Sequence, residues 1–539
     1  MNNSGYIRIS KLMKHFTTFF VLIVCCTCIT DELIGQTVPE WSKGAVWYQI
    51  FPERFHNADT ANDPTAERIG APDNWEITPW TSDWYQRAEW EQRMGPQFRD
   101  FVFTRRYGGD LQGVIDKLDY LDDLGITAIY FNPVFDAVTL HKYDASMYRH
   151  IDRFFGPDPE GDTAIMQQED PADPSTWQWT SADSLFLQLI EKAHARNIKI
   201  VIDGVFNHTG QDFWAFRELE EKQQQARTKN WYDVISFDNP ATPDTSEFDF
   251  RGWWGYKGLP EFKEVDGNLV EPVKEHIFAI SRRWMDPDGD GDPSDGIDGW
   301  RLDVTEEVGH RFWKEWHEHI RSINPDIYTT AEIWGRNANE YINEDGFTAS
   351  MNYPFLRAVH KFFIKEEFTA GQLDTSLTNI RELNDSAVNL AMQNLMDSHD
   401  TERLSSMIVN SDRDFKEGSK IEKHTNQYNI RKPNDTERKI QKLIALFQYT
   451  YVGSPMVYYG DETGMWGADD PDDRKPMVWR DSVYEDEVNH PFSHQRPRDT
   501  VEFNEDLHDW YKKLGKIRNE RPELATGNFE YVSNQQKRA

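Results

Sequence analysis

Apolar positions along the chain follow two spacings in turn, and this alternation predicts repeated helix–strand units. Residues 111–124 carry apolar side chains three and four positions apart and stop before Gly125, which is typical of an amphipathic helix. Residues 126–135 follow as a short apolar run, which is typical of a strand buried on both faces. Residues 181–197 and 198–208 repeat the same order.

The same order continues to residue 462, and we infer eight strand units, seven of which are assigned to segments, each followed by a helix or a long loop. The first strand lies within residues 44–55, and later strand segments are 297–303, 327–334, 389–400 and 454–462. Helices are predicted between them at 273–284, 309–323, 353–365 and 437–451. This pattern predicts an α/β protein with a closed (β/α)8 TIM barrel. An open doubly wound sheet is the alternative, but the glycine-rich phosphate loop typical of that fold is absent from the sequence.

Two segments interrupt the alternation. Residues 208–271 are rich in Gln, Asp, Pro and Trp and are too long for an ordinary loop, so they predict a small inserted domain after strand 3, over the barrel mouth. Residues 410–433 form a second irregular, polar insertion. The barrel is therefore assigned to residues 37–207 and 272–520.

The first 36 residues predict a leader. A basic segment precedes an apolar run at residues 16–30, as in a secretory signal. All three cysteines, Cys25, Cys26 and Cys28, lie in that run, so a lipoprotein-type leader and an uncleaved anchor are alternatives. We expect export to the periplasm or the outside. No later run is long enough to cross a bilayer, so no membrane span is expected in the mature chain.

Charge and composition limit the classes of ligand that the protein is expected to bind. The 539 residues carry a net charge of −33, which should repel nucleic acid and anionic lipid and favours a neutral or cationic substrate. Aromatic residues make up 14%, with 20 Trp, which suits stacking on sugar rings although most should belong to the core. Without cysteine after Cys28, the body has neither a disulfide framework nor a cysteine metal site.

Polar residues gather where the predicted strands end, which is where barrel enzymes build their active sites. They are Asn207, His208, Arg301, Asp303, Glu332, His399 and Asp400. Arg301 and Asp303 are two positions apart on one strand and therefore share a face. Taken alone, this pair is equally well explained as a structural salt bridge.

Asp303 and Glu332 are predicted on neighbouring strands, which lie about 4.8 Å apart. Retaining glycoside hydrolysis needs two carboxyl groups about 5–5.5 Å apart. We predict that Arg301 keeps Asp303 ionised as the nucleophile, and that an apolar setting keeps Glu332 protonated as the acid. Asp400 is expected to bind sugar hydroxyls and stabilise positive charge.

Four segments resemble, in order, the four conserved regions of the α-amylase family of glycoside hydrolases. They are DGVFNH at 203–208, GWRLDV at 299–304, AEIW at 331–334 and DSHDT at 397–401. The resemblance covers about residues 46–479 and is greatest to the cyclomaltodextrinase, neopullulanase and maltogenic amylase branch. It implies a retaining hydrolase of α-1,4 bonds in cyclodextrins, maltooligosaccharides, pullulan or starch. A transglycosylase on the same residues and a non-catalytic glucan-binding homologue are the alternatives.

The resemblance also implies roles for individual residues. Asp303 would be the nucleophile, Glu332 the acid/base and Asp400 the stabiliser of the transition state. The subsite for the attacked glucose would be formed by His141, Tyr143, His208, Arg301 and His399, with Tyr143 stacking on the sugar ring. Trp334 would contact the leaving-group side.

A polar loop at residues 57–64, NADTANDP, offers several oxygen ligands of the kind Ca²⁺ prefers. On its own it is better explained as a solvated turn. The resemblance instead implies a structural Ca²⁺ site formed by Asn57, Asp59, Asn62, Asp63, Gly108 and Asp110. Residues 286–296 begin like an EF-hand loop, but Ile297 stands where its glutamate belongs, so a second site stays open.

The chain departs from the branch in three places. The barrel begins by about Gly44, without the N-terminal β-domain that many members carry. Lys263, in LPEFK at 259–263, stands where the branch usually has Asn. Residues 521–539 are predicted to be the remnant of a truncated C-terminal β-domain, with its first strand at 528–532.

Overall fold

The central element of the protein is a parallel eight-stranded sheet. The computed structural model describes residues 38–239, 241–242, 247–421 and 428–532, and the predicted leader lies outside the described residues. The strands are β1 Trp47–Ile50, β2 Ala128–Phe131, β3 Lys199–Gly204, β4 Gly299–Leu302, β5 Tyr328–Ala331, β6 Ala349–Ser350, β7 Gln393–Leu395 and β8 Ser454–Tyr458. Neighbours pair in chain order from β1 to β6, and β8 pairs with both β1 and β7.

One backbone contact closes the sheet between β6 and β7. Met351 forms a parallel bridge with Gln393, and the N–H of Asn352 donates to the carbonyl of Gln393 at 2.8 Å. With this contact the eight strands form a nearly closed ring, which confirms the predicted (β/α)8 barrel.

Helices surround the barrel. They are α1 Glu91–Met94, α2 Leu111–Asp116, α3 Leu118–Asp123, α4 Pro159–Met166, α5 Ser181–His194, α6 Trp214–Lys222, α7 Glu271–Met285, α8 His310–Ile323, α9 Ala338–Glu340, α10 Tyr353–Val359, α11 Ala370–Arg381, α12 Ser386–Ala391, α13 Leu404–Val409, α14 Asp435–Thr450, α15 Glu505–Glu520 and α16 Pro522–Thr526. In α8, Phe312, Trp316 and Ile320 are buried at helical spacing, as its amphipathic pattern predicts.

Strand β4 shows how one strand serves both the core and the site. Trp300 packs towards the helices, with its ring centroid 6.3 Å from that of Trp316. Successive side chains of a strand point to opposite faces, so Arg301 points into the barrel. The side chain of Arg301 is fully buried, and it therefore needs partners inside the barrel.

Three elements of the structure differ from the sequence prediction. Strand β6 has only two residues, Ala349–Ser350, which is too short for a periodic pattern to reveal. Residues 389–391, predicted as part of a strand, end helix α12, because a short apolar run does not distinguish a helix end from a buried strand. The helix predicted across residues 111–124 is divided at Lys117 into α2 and α3.

The inserted segment after β3 is compact but not separate from the barrel. It contains α6 and two short antiparallel sheets, Val234–Ser236 with Asp249–Phe250 and Glu264–Val265 with Asn268–Leu269. Its residues Phe216 and Phe262 belong to the same hydrophobic core as the barrel strands.

Residues 528–532 do not form the predicted first strand of a β-sandwich. They pair with no strand in the described part of the chain, and a strand without a partner leaves its backbone groups unsatisfied. Phe529 instead packs its ring edge-on against Tyr451, with centroids 5.1 Å apart.

No helix among the described residues is long and apolar enough to cross a membrane.

Arg518 of α15 ties the last long helix to the barrel, and its loss should destabilise the protein. Its guanidinium is buried and donates to the carbonyl oxygens of Gly44 at 3.0 Å, Tyr449 at 2.6 Å and Gly453. We expect Arg518→Ala to lower the free energy of unfolding by about 3 kcal/mol, because buried carbonyls lose their donor. Lys516→Ala, at an exposed position of the same helix, is the control, and urea titration the measurement. Equal stability of the two variants would contradict this.

Candidate active site

The register of β4 and β5 brings two acids side by side. Leu302 pairs with Ala331, so Asp303 and Glu332 are the next residues of adjacent strands. The N–H of Glu332 donates to the carbonyl of Leu302 at 3.1 Å, which continues the ladder to this position. Adjacent parallel strands lie about 4.8 Å apart, which suits the carboxyl spacing of a retaining glycosidase.

Arg301 holds three carboxylates at once. Its Nη1 donates to Asp203 at 2.9 Å and to Oδ1 of Asp303 at 2.9 Å. Its Nη2 lies 2.8 Å from Oε2 of Glu332. The pair expected from the sequence is therefore part of a four-group cluster rather than an isolated salt bridge.

Three carboxyl groups share the single positive charge of Arg301, and this arrangement favours protonation of the acids. Burial raises the pKa of Asp303 well above its ordinary value, Arg301 opposes this, and Glu332 and Asp203 add to it. Burial also raises the pKa of Asp203 to about 6, with Arg301 and Tyr130 opposing. The prediction that Arg301 keeps Asp303 ionised considered only the effect of Arg301. It omitted the effects of Glu332 and Asp203, because these acids come from neighbouring strands.

The predicted apolar setting of Glu332 is wrong. Its carboxylate accepts from the backbone N–H of Val304 at 2.9 Å and from Nε1 of Trp334 at 3.1 Å, and it faces Arg301. Val304 has a φ of 38°, rare for a β-branched residue, immediately after Asp303. Arg301 and Val304 come from the neighbouring strand and from the strained turn after it, so of these donors only Trp334 lies beside Glu332 in the sequence.

A chain of hydrogen bonds links the cluster to β7. Nε2 of Gln49 lies 2.9 Å from Nδ1 of His399, and Nε2 of His399 lies 2.7 Å from the hydroxyl of Tyr143, which donates to Asp203 at 2.9 Å. Burial lowers the pKa of His399 to about 3, so the ring is neutral. Since the Gln49 amide donates to Nδ1, we assign the His399 proton to Nε2. The Tyr143 and His399 rings are parallel within 7°, with centroids 5.5 Å apart.

Asp400 is held as an anion. Arg474 donates to Oδ1 of Asp400 at 3.1 Å and to the carbonyl of His399 at 2.7 Å. Lys416 donates to the carbonyl of Asp400 at 2.7 Å. Burial raises the pKa of Asp400, His399 and Arg474 lower it, and the net shift is below the ordinary value.

A cavity of about 600 Å³ opens onto these groups. Of the predicted catalytic and sugar-binding residues it is lined by Asp303, Glu332, Asp400, His141, Tyr143, His208, Trp334 and His399. Arg301 is fully buried and is not among the lining residues. Eight of the nine residues predicted to catalyse or to bind sugar therefore line one cavity, and the ninth, Arg301, contacts Asp303 and Glu332. Asn207, which was also predicted at a strand end, does not line it.

Several lining residues were missed by the sequence analysis. They are Phe103, Trp253, Trp254, Leu259, Val304, Glu306, Glu307, Lys416, Lys420, Asp470 and Arg474. Lys263, the departure noted in the sequence, does not line the cavity. Asp203 received no role either, although a single acid inside the apolar run 198–206 was a usable signal. Lys416 lies in an insertion without periodicity, where no local pattern marks it.

The predicted metal loop folds around Gly108 and Asp110. Oδ2 of Asp110 accepts from the N–H of Asp59 at 2.9 Å, and Oδ1 caps α2 through the N–H of Gly113 at 2.6 Å. Gly108 has a φ of 74°, and a Cβ there would lie 1.9 Å from Oδ1 of Asp63. The backbone and the carboxylates therefore approach more closely than a larger residue would allow.

The oxygens of this loop fit a hard cation. Oδ1 of Asn57 and Oδ1 of Asn62 are buried and accept no hydrogen bond within the described residues. Burial raises the pKa of Asp63 and of Asp110 to about 6, because it outweighs the hydrogen bonds that these carboxylates accept. Carboxylates beside buried amide oxygens that lack donors are a ligand set that suits Ca²⁺.

A second acidic cluster lies in the loop before β4. Carboxylate oxygens of Asp286, Asp288 and Asp295 lie within 4.8 Å of one another. All three lie within the segment 286–296 considered from the sequence, and Asp288 and Asp295 are exposed.

Comparisons with known proteins match the chain to one family model and to several relatives. Residues 49–169 and 180–527 match the family model described as alpha amylase, catalytic domain. Neopullulanase 2 of Thermoactinomyces vulgaris is 36% identical over 492 residues, which is 91% of this chain and 65% of that protein. A cyclomaltodextrinase of Geobacillus thermopakistaniensis is 32% identical over 498 residues, with 92% and 65% covered.

Solved structures match as well. The cyclic alpha-maltosyl-(1→6)-maltose hydrolase of Arthrobacter globiformis, in ligand-free form, superimposes with a TM-score of 0.66 at 28% identity. The match covers 93% of this chain and 88% of that one. The chain thus spans about two thirds of the length of the first two relatives and nearly all of this structure.

The prediction that the protein is exported is wrong. Among the relatives that match the chain, the neopullulanase and the cyclomaltodextrinases are enzymes that are typically cytoplasmic. The apolar run behind the prediction lies outside the described residues. An apolar run near a terminus is therefore weak evidence for export here.

Glu402 holds the segment that carries Lys416. Its Oε1 accepts the N–H of Lys416 at 3.0 Å, and its Oε2 is buried without a hydrogen bond in the described part of the chain. Burial, with the nearby Asp469, raises the pKa of Glu402 to about 7.

Glu402→Gln should therefore stabilise the protein at alkaline pH. The unfolded chain loses this proton near pH 4.3 and the folded one near 7, so wild-type stability falls as pH rises through that window. We expect the variant to match wild type near pH 4.5 and to be more stable by up to about 3 kcal/mol at pH 8. Urea titrations at both pH values measure this. The exposed Glu417→Gln is the control, and an equal gain there would contradict the prediction.

Proposed function

The chain belongs to the alpha-amylase family of glycoside hydrolases, and we propose that it hydrolyses α-1,4-glucosidic bonds with retention of configuration. The substrates proposed are cyclodextrins, maltooligosaccharides, pullulan or starch. The observation that carries this proposal is one cavity lined by Asp303, Glu332 and Asp400 at the carboxyl ends of β4, β5 and β7. The names of the relatives, neopullulanase and cyclomaltodextrinase, support the substrate class.

In the first step Asp303 attacks the anomeric carbon while Glu332 donates a proton to the glycosidic oxygen. The bond to the leaving sugar breaks, and a covalent glycosyl-enzyme forms. In the second step Glu332 takes a proton from water, and the water oxygen displaces Asp303 from the same carbon. Two inversions give net retention.

Arg301 suits both steps. Its Nη1 binds Oδ1 of Asp303 at 2.9 Å, which leaves Oδ2 for the attack. When Asp303 becomes an ester it loses its charge, and the guanidinium is then shared by Asp203 and Glu332. The guanidinium, 2.8 Å from Oε2 of Glu332, can then pair with that side chain when it acts as the base of the second step.

The remaining lining residues would hold the sugar. Asp400, anionic beside Arg474, would accept sugar hydroxyls and stabilise the positive charge of the oxocarbenium-like transition state. His141, Tyr143, His208 and His399 would surround the attacked glucose, with the ring of Tyr143 available for stacking.

Two further assignments complete the proposal. Trp334 would contact the leaving sugar, because its Nε1 donates to the proposed proton donor Glu332. Residues 208–271 would act as an inserted domain at the barrel mouth, since Trp253, Trp254 and Leu259 line the cavity. All three acids line one cavity, which counts against the non-catalytic alternative.

We also propose a structural Ca²⁺ at the loop of Asn57, Asp59, Asn62, Asp63, Gly108 and Asp110. The buried Oδ1 atoms of Asn57 and Asn62, which accept no hydrogen bond within the described residues, and the nearby carboxylates of Asp63 and Asp110, whose pKa burial raises, support it. The ion would hold the loop that follows β1 against the start of α2.

Asp303→Asn tests the proposed nucleophile. The amide keeps the shape of the side chain but cannot form the glycosyl-enzyme, so we expect turnover to fall by at least about 10³-fold. Reducing-sugar assays on cyclodextrin, pullulan and starch measure turnover, and NMR of the first product shows whether its anomer is retained.

The matched measurement is maltooligosaccharide binding to Asp303→Asn by calorimetry, which we expect to persist. Wild-type turnover in this variant would remove Asp303 from the mechanism. An inverted first product would contradict the double displacement.

Calcium removal should lower stability. A ligand present at 100 times its dissociation constant stabilises a folded protein by about 2.7 kcal/mol, so a chelator should lower the unfolding midpoint and Ca²⁺ should restore it. Asp63→Asn should weaken this response. Asp288→Asn, in the second acidic cluster, should leave it unchanged. If Asp288→Asn lost the response and Asp63→Asn kept it, the ion would bind at the second acidic cluster, and the proposed site would be refuted.

A further inference from the structure

The inserted segment contains a tight turn whose sequence does not suit its backbone. The N–H of Tyr256 donates to the carbonyl of Trp253 at 2.9 Å, and both central residues have positive φ, 49° at Trp254 and 83° at Gly255. Turns of this kind favour Asn, Asp or Gly at the first central position. A bulky residue there is strained, so the backbone does not explain Trp254.

Packing does not explain Trp254 either. The residue is 80% exposed and is not part of the hydrophobic core among the described residues. Its ring is nevertheless held in place, because its Nε1 donates to Glu307 at 3.0 Å and its face stacks on Trp253, with centroids 5.0 Å apart at 24°. An apolar surface is thus fixed and presented to solvent.

The rings continue from this turn to the catalytic centre. Trp253 stacks in turn on His208, with centroids 5.4 Å apart at 23°. All three rings line the same cavity as Asp303 and Glu332. Nε2 of His208 and Nε1 of Trp253 are buried without hydrogen-bond partners in the described structure, as expected where a ligand supplies them.

We propose that Trp254, supported by Trp253, binds the apolar face of a glucose unit beyond the attacked glucose and thereby selects longer α-glucans. This inference rests on the proposed function. Two ring spacings, 5.0 and 5.4 Å, separate Trp254 from His208, so the ring lies outside the subsite of the attacked glucose. Sugar rings present C–H faces to which a fixed indole offers a large apolar surface at little entropic cost.

Binding to Trp254→Asn, made in the Asp303→Asn background, tests the proposal. Asn suits the turn, so the unfolding midpoint should stay equal or rise. We expect calorimetry to show about tenfold weaker binding of maltohexaose, or about 1.4 kcal/mol, and unchanged binding of maltose. Trp254→Phe should recover most of the affinity, since it restores an aromatic face.

The matched control is Tyr256→Ala. Tyr256 belongs to the same turn and is 65% exposed, but it does not line the cavity, so maltohexaose binding should be unchanged. Equal weakening for maltose and maltohexaose in Trp254→Asn would overturn the proposal, and so would full maltohexaose affinity.

The same data separate this inference from the proposed function. If the Asp303→Asn parent binds neither sugar and the wild-type protein cleaves none of the glucans, the proposed function fails, and the inference with it. If the wild-type protein cleaves glucans and Trp254→Asn has unchanged kcat/KM for maltohexaose, only the role of Trp254 is refuted.

Discussion

The buried guanidinium of Arg301 is the interaction on which the site depends. A cation without solvent contact inside a barrel is stable only if it is fully paired. Here its partners are Asp203, Asp303 and Glu332, at the ends of three neighbouring strands. The parallel register that forms the barrel is thus also what brings the acids to one cation, so the fold and the catalytic geometry have a common cause.

Asp203 connects Arg301 by hydrogen bonds to residues on other strands around the barrel mouth. It accepts from the hydroxyls of Tyr130 at 2.7 Å and Tyr143 at 2.9 Å, and Tyr143 contacts His399 after β7. Residues from several strands and one loop are therefore held by a single network around one carboxylate. Such preorganised donors lose little energy in reorienting during a reaction, which suits a site that stabilises developing charge. The network also fixes the rings that would face the sugar.

Strand order and the spacing of two along a strand predicted the barrel and the acids at its strand ends. The places of His141, Tyr143 and Trp334 followed only from the family resemblance, and eight of the nine residues predicted to catalyse or to bind sugar line the cavity. The sequence analysis misjudged Glu332, since the donors of Arg301 and Val304 come from an adjacent strand and a strained turn. It missed Lys416 and Arg474 because they lie in irregular segments, where position depends on tertiary contacts alone. Strand β6 was missed because two residues show no period.

The cavity therefore divides into two parts with different physical origins. Its floor is set by strand ends, where hydrogen-bonded register leaves little freedom for the acids. Its rim is formed in part by inserted segments that carry Trp254 and Lys416. Trp254 shows the difference most clearly: its backbone is strained and its ring is exposed, so stability alone would not retain it. The proposed binding of sugar to this ring accounts for both features, since a bound sugar would cover the surface that water now contacts.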